Sequence, residues 1–170
     1  ASDVYKRQRL GGHLIEASVP RFKAETKQLL DWAIRQVHKS GVEVELQTEA
    51  TPDLLGRLRP DVLIVAVGSD FAVPAVPGCD KPCVATAGEV LLGSKEINNR
   101  VVVIGAGLIG CETALYIAEE LRKRVIIVEM LDEALVGVQA MCQMALTERL
   151  HQSGVEMHLG WHLDEITDGG

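Results

Sequence analysis

The sequence predicts an α/β fold, a three-layer arrangement with a parallel sheet between helices. Three observations point there. The run "VVVI" (Val101–Ile104) leads straight into the glycine triplet of "GAGLIG" (Gly105–Gly110) and then into a long apolar segment of helical length. Segments of helical period alternate with short Val- and Ile-rich runs, the order that builds parallel sheets. The phrase "HKSGVEVEL" (His38–Leu46) returns as "HQSGVEMHL" (His151–Leu159), identical at six of nine positions, so one supersecondary unit is used twice.

Taken in order, "ETKQLLDWAIRQVHKS" (Glu25–Ser40) places Leu29, Leu30, Ala33, Ile34 and Val37 on one helix face, and Gly41 ends it. "VEVEL" (Val42–Leu46) alternates as a short strand. "DVLIVAVG" (Asp61–Gly68) is continuously apolar, as a strand covered on both faces is. "SDFAVPAVPGCDKPC" (Ser69–Cys83), with Pro74, Pro77 and Pro82, reads as an extended connection. A second unit then runs from Val101 as strand, glycine turn, helix to about Lys123, strand Val125–Glu129, helix about Gln139–Gln152 and strand Val155–Leu159. Residues 1–8 ("ASDVYKRQ") share no periodicity with the rest of the chain. They match the translated read-through of a transposon end used in sequencing adaptors, and are set aside. The expected division is 9–78, a connection at 79–98, and 99–170, with both units truncated: the final "DEITDGG" comes after a strand with no capping element.

Composition narrows the classes of function. The 170 residues are 47% hydrophobic and 24% charged, enough for one full domain or parts of two. A formal net charge of −7 argues against a nucleic-acid partner, because a phosphate backbone demands clustered Lys and Arg. Arg122, Lys123 and Arg124 do cluster, but at a predicted helix end, where they offset the negative pole of the helix dipole. No apolar run reaches the roughly 18–20 residues that cross a bilayer, so no membrane partner is expected. Cys79, Cys83, Cys111 and Cys142 form neither a CxxC pair nor a metal-ligand spacing. No signal or transit peptide is legible, and a cytoplasmic, reduced protein is the expectation.

The glycine turn carries the chemistry. A lone GxGxxG is weak, but here a strand precedes it, a helix comes after it, and an acid, Glu129, closes the next strand. That context predicts a Rossmann-like dinucleotide site. Gly105 allows the tight turn, Gly107 lets a pyrophosphate approach the backbone, and Gly110 lets the helix lie close to the strand. Ala106, Leu108 and Ile109 complete the turn, whose free N–H groups and helix dipole favour the diphosphate. Glu129 is expected to accept from the adenosine ribose hydroxyls and to repel a 2′-phosphate. With Met130 beside it instead of an arginine, NAD(P)H is the expected cofactor, NADH favoured over NADPH. Glu112, on the helix's first turn, reads as a dipole-stabilising surface acid.

Longer stretches carry a family resemblance. "RPDVLIVAVGSDFAVPAVPG" (Arg59–Gly78) resembles the Asp–hydrophobic–Ala-Thr-Gly strand of two-dinucleotide-fold flavoproteins, the pyridine nucleotide-disulphide oxidoreductase-like enzymes, with Val67 where threonine is usual. "RLGGHLIEASVPRFK" (Arg9–Lys23) resembles the segment after the ribose-binding acid of their FAD domain. "TAGEVLLG" (Thr86–Gly93) and "VIIVEMLDE" (Val125–Glu133) extend the match. From about Arg9 onward the chain resembles the C-terminal reductase region of multidomain NADH:flavin oxidoreductases related to old yellow enzyme, of the 2,4-dienoyl-CoA reductase, enoate reductase and trimethylamine dehydrogenase type.

That resemblance implies a FAD domain interrupted by an inserted NAD(P)H domain. FAD would lie at Gly11, Gly12, His13 and Leu14 and along Ala66, Val67 and Gly68. It implies hydride transfer from NAD(P)H to FAD, then onward to FMN and an iron–sulfur cluster in an upstream barrel domain of the same chain, which holds an enoyl- or dienoyl-type substrate. This portion would be an oxidoreductase fragment with little activity alone and no catalytic side chain of its own. His13, His38, His151, His158 and His162 read as surface or junction residues, His13 alone standing beside the paired glycines. "GGHLIEASVP" lacks the redox cysteine pair of the disulfide reductases. Ferredoxin reductases, the small subunit of glutamate synthase and a non-catalytic NADH-sensing flavoprotein remain as alternatives.

Overall fold

The structure, a computed structural model, describes residues 9–168; the adaptor assignment of Ala1–Gln8 lies outside the described residues. The chain divides into two compact units, one ending at Ala72 and the other beginning at Val73. Among the described residues no helix is long and apolar enough to cross a membrane.

The second unit holds a parallel sheet. Strands β1 (Arg100–Ile104), β2 (Arg124–Glu129) and β3 (Glu156–Leu159) lie in the order β1-β2-β3, with Ile104 opposite Val128 and Glu129 opposite Leu159. Helix α5 (Leu108–Glu119) crosses from β1 to β2, and α6 (Ala140–Gln152) from β2 to β3. Strand residues alternate between faces. One face of β2 presents Val125 and Ile127, 3% and 0% exposed, among a core that also takes in Cys111, Ala114, Leu115 and Ile117 of α5 and Leu150 of α6. Burying Ile127 alone is worth roughly 1.5–3 kcal/mol. Ahead of β1, α4 (Ala87–Leu91) opens with a capping box: the Thr86 hydroxyl accepts from Glu89 N–H, and the Glu89 carboxylate accepts from Thr86 N–H.

Two sequence expectations are corrected here. Helix α5 stops at Glu119 rather than near Lys123, because Arg122 takes a left-handed φ of 58° and Arg124 already begins β2. Lys123 directs its ammonium to the Ile97 carbonyl, so the basic trio straddles a turn instead of closing a helix. The stretch expected to be an extended connection folds back from Pro77 to Cys83 in successive turns. Ile166 N–H donates to Pro77 O at 2.9 Å, and Lys81 pairs with Asp168 at 2.6 Å, which draws these turns into the second unit.

The regular structure among the first unit's described residues is helical: α1 (Leu14–Ala17), a 3₁₀ turn (Arg21–Lys23), α2 (Ala24–Ser40) and α3 (Pro52–Leu58). Helix α2 ends at Gly41 in the left-handed region, as its sequence requires. Helix α3 was not expected; Thr51 caps it by accepting from Leu54 N–H, and Pro52 stands at its first position. The strands expected at Val42–Leu46 and Asp61–Gly68 do not form ladders. Both segments are open to solvent, Val42 at 64% and Ile64 at 82% exposed. A β conformation is completed by a hydrogen-bonded neighbour, and the described residues offer these segments none.

Candidate functional site

The site grows from the junction of β1 and α5. Gly105 has φ +101°, a region closed to side chains, and its N–H donates to Val128 O at 2.8 Å, so the turn leaves β1 while bound to β2. Gly107 caps α5 without a side chain, and a Cβ there would meet no atom within 4 Å: the space in front of the helix is open. The first-turn N–H groups of α5 precede any intrahelical acceptor and face that space with the positive end of the dipole. At Gly110 a Cβ would lie 2.0 Å from Gly105 O, so only glycine lets α5 lie this close to the turn. Leu108 and Ile109 are exposed, at 42% and 60%.

Glu129 stands at the end of β2, beside this turn. Its Oε2 accepts from Ala106 N–H at 2.7 Å and its Oε1 from Leu131 N–H at 2.9 Å. The Leu131 N–H bond, followed by those from Ala106 and Met130, outweighs burial and holds the carboxyl below the ordinary glutamate range. Glu129 is therefore an anion at neutral pH, aimed back across the glycine turn. Ala106, 1% exposed, is a structural hinge: its N–H goes to Glu129, and its carbonyl accepts from Leu135 N–H at 2.8 Å.

Sequence reasoning missed the loop that backs the site. Leu135 is 1% exposed with φ +59°, and the Gln143 amide donates to its carbonyl at 2.9 Å. A non-glycine residue in the left-handed region leaves no mark in an apolar pattern, and nothing in the letters ties Gln143 to a loop eight positions earlier. Cys111 lies behind the turn, where burial, with Glu129 and Glu112 nearby, pushes its thiol up to about 11. A thiol in that state is a packing group, not a nucleophile.

In the first unit, Gly11 and Gly12 both have positive φ, 129° and 54°, and start α1. A Cβ at Gly11 would crowd Leu30 and Ile15, at 2.7 and 2.9 Å. His13 joins the two stretches expected to meet FAD. Its Nε2 donates to Ser69 O at 2.7 Å, just past Ala66, Val67 and Gly68, and its ring meets Phe71 edge-on at 5.3 Å. His13 Nδ1 lies 3.9 Å from the buried Glu16 carboxylate. Leu14 remains 39% exposed.

Residues 12–170 match the pyridine nucleotide-disulphide oxidoreductase family. The chain belongs to that family. Its fold is the Rossmann-like FAD/NAD-binding fold of that oxidoreductase family. It is 36% identical to an NADH oxidase of Thermoanaerobacter brockii across 97% of this chain and 26% of that protein. With a cinnamate reductase of Clostridium sporogenes it shares 29% identity across 98% of this chain and 25% of the relative. A solved 2-naphthoyl-CoA reductase superimposes with a TM-score of 0.89 at 25% identity, covering 97% of this chain and 25% of the other. The chain thus spans about a quarter of the length of the relatives it matches.

Proposed function

We propose that this chain is the dinucleotide-binding part of a flavin-dependent oxidoreductase, with NAD(P)H held by residues 99–170 and FAD by residues 9–78. One observation carries the reading: the open, side-chain-free start of α5 at Gly107 stands beside an ionised Glu129. The first suits a diphosphate and the second a pair of ribose hydroxyls. Gly105, Gly107, Leu108, Ile109 and Gly110 would present backbone to the diphosphate, and Glu129 with Met130 would flank the ribose. Ala106 acts from behind, by fixing Glu129. Because Glu129 and the nearby Asp132 and Glu133 are acidic, NADH is preferred over NADPH. Gly11, Gly12, His13 and Leu14, with Ala66, Val67 and Gly68, would hold FAD.

When both cofactors are bound they supply the redox chemistry, hydride passing from NAD(P)H to FAD; this chain binds, orients and shields. The relatives are called cinnamate reductase and 2-naphthoyl-CoA reductase, and names of conjugated acids or thioesters support an enoyl- or dienoyl-type final substrate. Its reduction would belong to an upstream barrel carrying FMN and an iron–sulfur cluster, in a cytoplasmic protein.

Calorimetric titration of the chain with NADH and NADPH tests the binding step. NADH should bind the more tightly. Glu129→Ala should weaken it about tenfold to a hundredfold, the worth of a charge-assisted hydrogen bond. Gly107→Val should abolish binding by filling the open space; unchanged affinity in that variant would overturn the assignment. In a protein of the relatives' length, NADH should bleach the FAD absorbance.

A further inference from the structure

We infer that Trp161 is the stacking platform for the adenine of the bound dinucleotide; this rests on the reading of Glu129 as the ribose acid. Strand β3 ends at Leu159, opposite Glu129 in the parallel register. The chain then turns at Gly160, φ +71°, where a Cβ would stand 2.9 Å from Asp132 Oδ1. Two backbone bonds hold this turn against the end of β2. Gly160 N–H donates to Leu131 O at 2.9 Å, and Trp161 N–H donates to Glu129 O at 2.9 Å. The backbone of Trp161 is therefore one hydrogen bond from that of the residue assigned to the ribose.

The indole is unusually open for so large an apolar group, at 59% exposed. His158 leans on it with ring centroids 4.9 Å apart at 45°, which restrains the indole and leaves most of it uncovered. Met130 and Leu131, on the segment bonded to this turn, are 60% and 49% exposed. An aromatic ring and two flexible apolar chains thus lie uncovered at the carboxyl edge of β2 and β3, where parallel sheets receive their ligands. Adenine hangs from the same ribose whose hydroxyls Glu129 would bind, one glycosidic bond away. Its flat face suits an indole, and methionine fills around a ring without fixed shape. The occupant is an uncharged base and not a second phosphate, because Asp132 stands at the turn.

The test uses ADP-ribose, which carries the adenosine half without the nicotinamide. In a Trp32→Phe background Trp161 is the single indole of the chain. Its emission should quench saturably as ADP-ribose is added. Trp161→Ala should weaken ADP-ribose about tenfold, in line with base–aromatic stacking, and Trp161→Phe should recover most of the loss while Trp161→Leu does not. Reduced nicotinamide mononucleotide, which has no adenine, should bind all four chains alike. If the wild-type chain binds ADP-ribose and Trp161→Ala binds it equally, the platform is refuted and the dinucleotide site stands. If ADP-ribose binds neither the wild-type chain nor any variant, the ribose assignment and the platform fall together.

Discussion

His38–Leu46 and His151–Leu159 read almost alike, yet they end differently. Each begins in the last turn of a helix, and Gly41 and Gly154 share the same left-handed φ of 73°. Past the glycine the two part company. Val155 is 8% exposed and leads into β3, paired along β2, whereas Val42 is 64% exposed and its segment joins no ladder. The turn that ends a helix is decided by residues close to it, so the same letters give a left-handed glycine twice, although Gly41 is itself the C-cap of α2 and Gly154 stands one residue past the C-cap Ser153 of α6. A strand is decided by what lies alongside. β3 has β2 as its neighbour and β2 has β1; Val42–Leu46 has none among the described residues.

The sharpest way to break the contrast is to remove β3's neighbour. Ile127, at the middle of β2 and 0% exposed, cannot become Asp without burying an unpaired charge, at a cost above about 4 kcal/mol. In Ile127→Asp, amide exchange across Glu156–Leu159 should rise to the rate of Val42–Leu46. Continued protection of β3 would show that α6 and its cap hold the strand without the sheet. Gly110→Ala is the next largest. Its Cβ would strike Gly105 O, so α5 must move off the turn, costing roughly 1–3 kcal/mol in urea unfolding and weakening NADH together with stability.

These variants also mark what could be read from the letters. β1, the glycine turn, β2 and Glu129 were legible because each signal is local: an apolar run, a glycine spacing, an acid at a strand end. The bonds that finish the site were not. Leu131 and Ala106 reach Glu129 through backbone N–H groups, which every residue but proline carries, and Trp161 is set beside it by β3 pairing. In the first unit His13 was legible as a neighbour of the paired glycines, but its bond to Ser69 spans 56 positions and depends on how the chain returns. The strands at 42–46 and 61–68 were misread for the opposite reason. Their letters favour β structure, and a propensity needs a partner before it becomes a ladder.

A smaller effect sharpens the contrast through pH. Glu129 ties β2 to the glycine turn as an anion, with its folded-state pKa below the ordinary value. Its contribution is fully present above the ordinary carboxylate range and is lost as pH falls through the lowered folded value. Glu129→Gln should cost about 1–2 kcal/mol at neutral pH and flatten the acid limb of the stability curve. An acid limb as steep as wild type would mean that other carboxylates set it.

The smallest expected effect lies between the two helices that flank β2. Arg149 of α6 grips Glu119 of α5 with two bonds, Nε to Oε1 at 2.8 Å and Nη2 to Oε2 at 2.6 Å, and Ser153 Oγ donates to Oε1 at 2.9 Å. The Arg149 bond leads the interactions that hold the Glu119 carboxyl below its ordinary range. Both side chains keep water contact, 44% for Arg149 and 27% for Glu119, so the pair is worth about 0.2–1 kcal/mol. Glu119→Ala should lower the urea midpoint slightly, by an amount that shrinks as salt is raised. The paired phrase explains why the loss stays small. Ser153 and Ser40 hold the same place before their glycines, yet only Ser153 faces a partner helix, and β3 is anchored by β2 before that bond is counted. A loss well above 1 kcal/mol would mean that α6 needs this clasp to deliver β3 to the sheet.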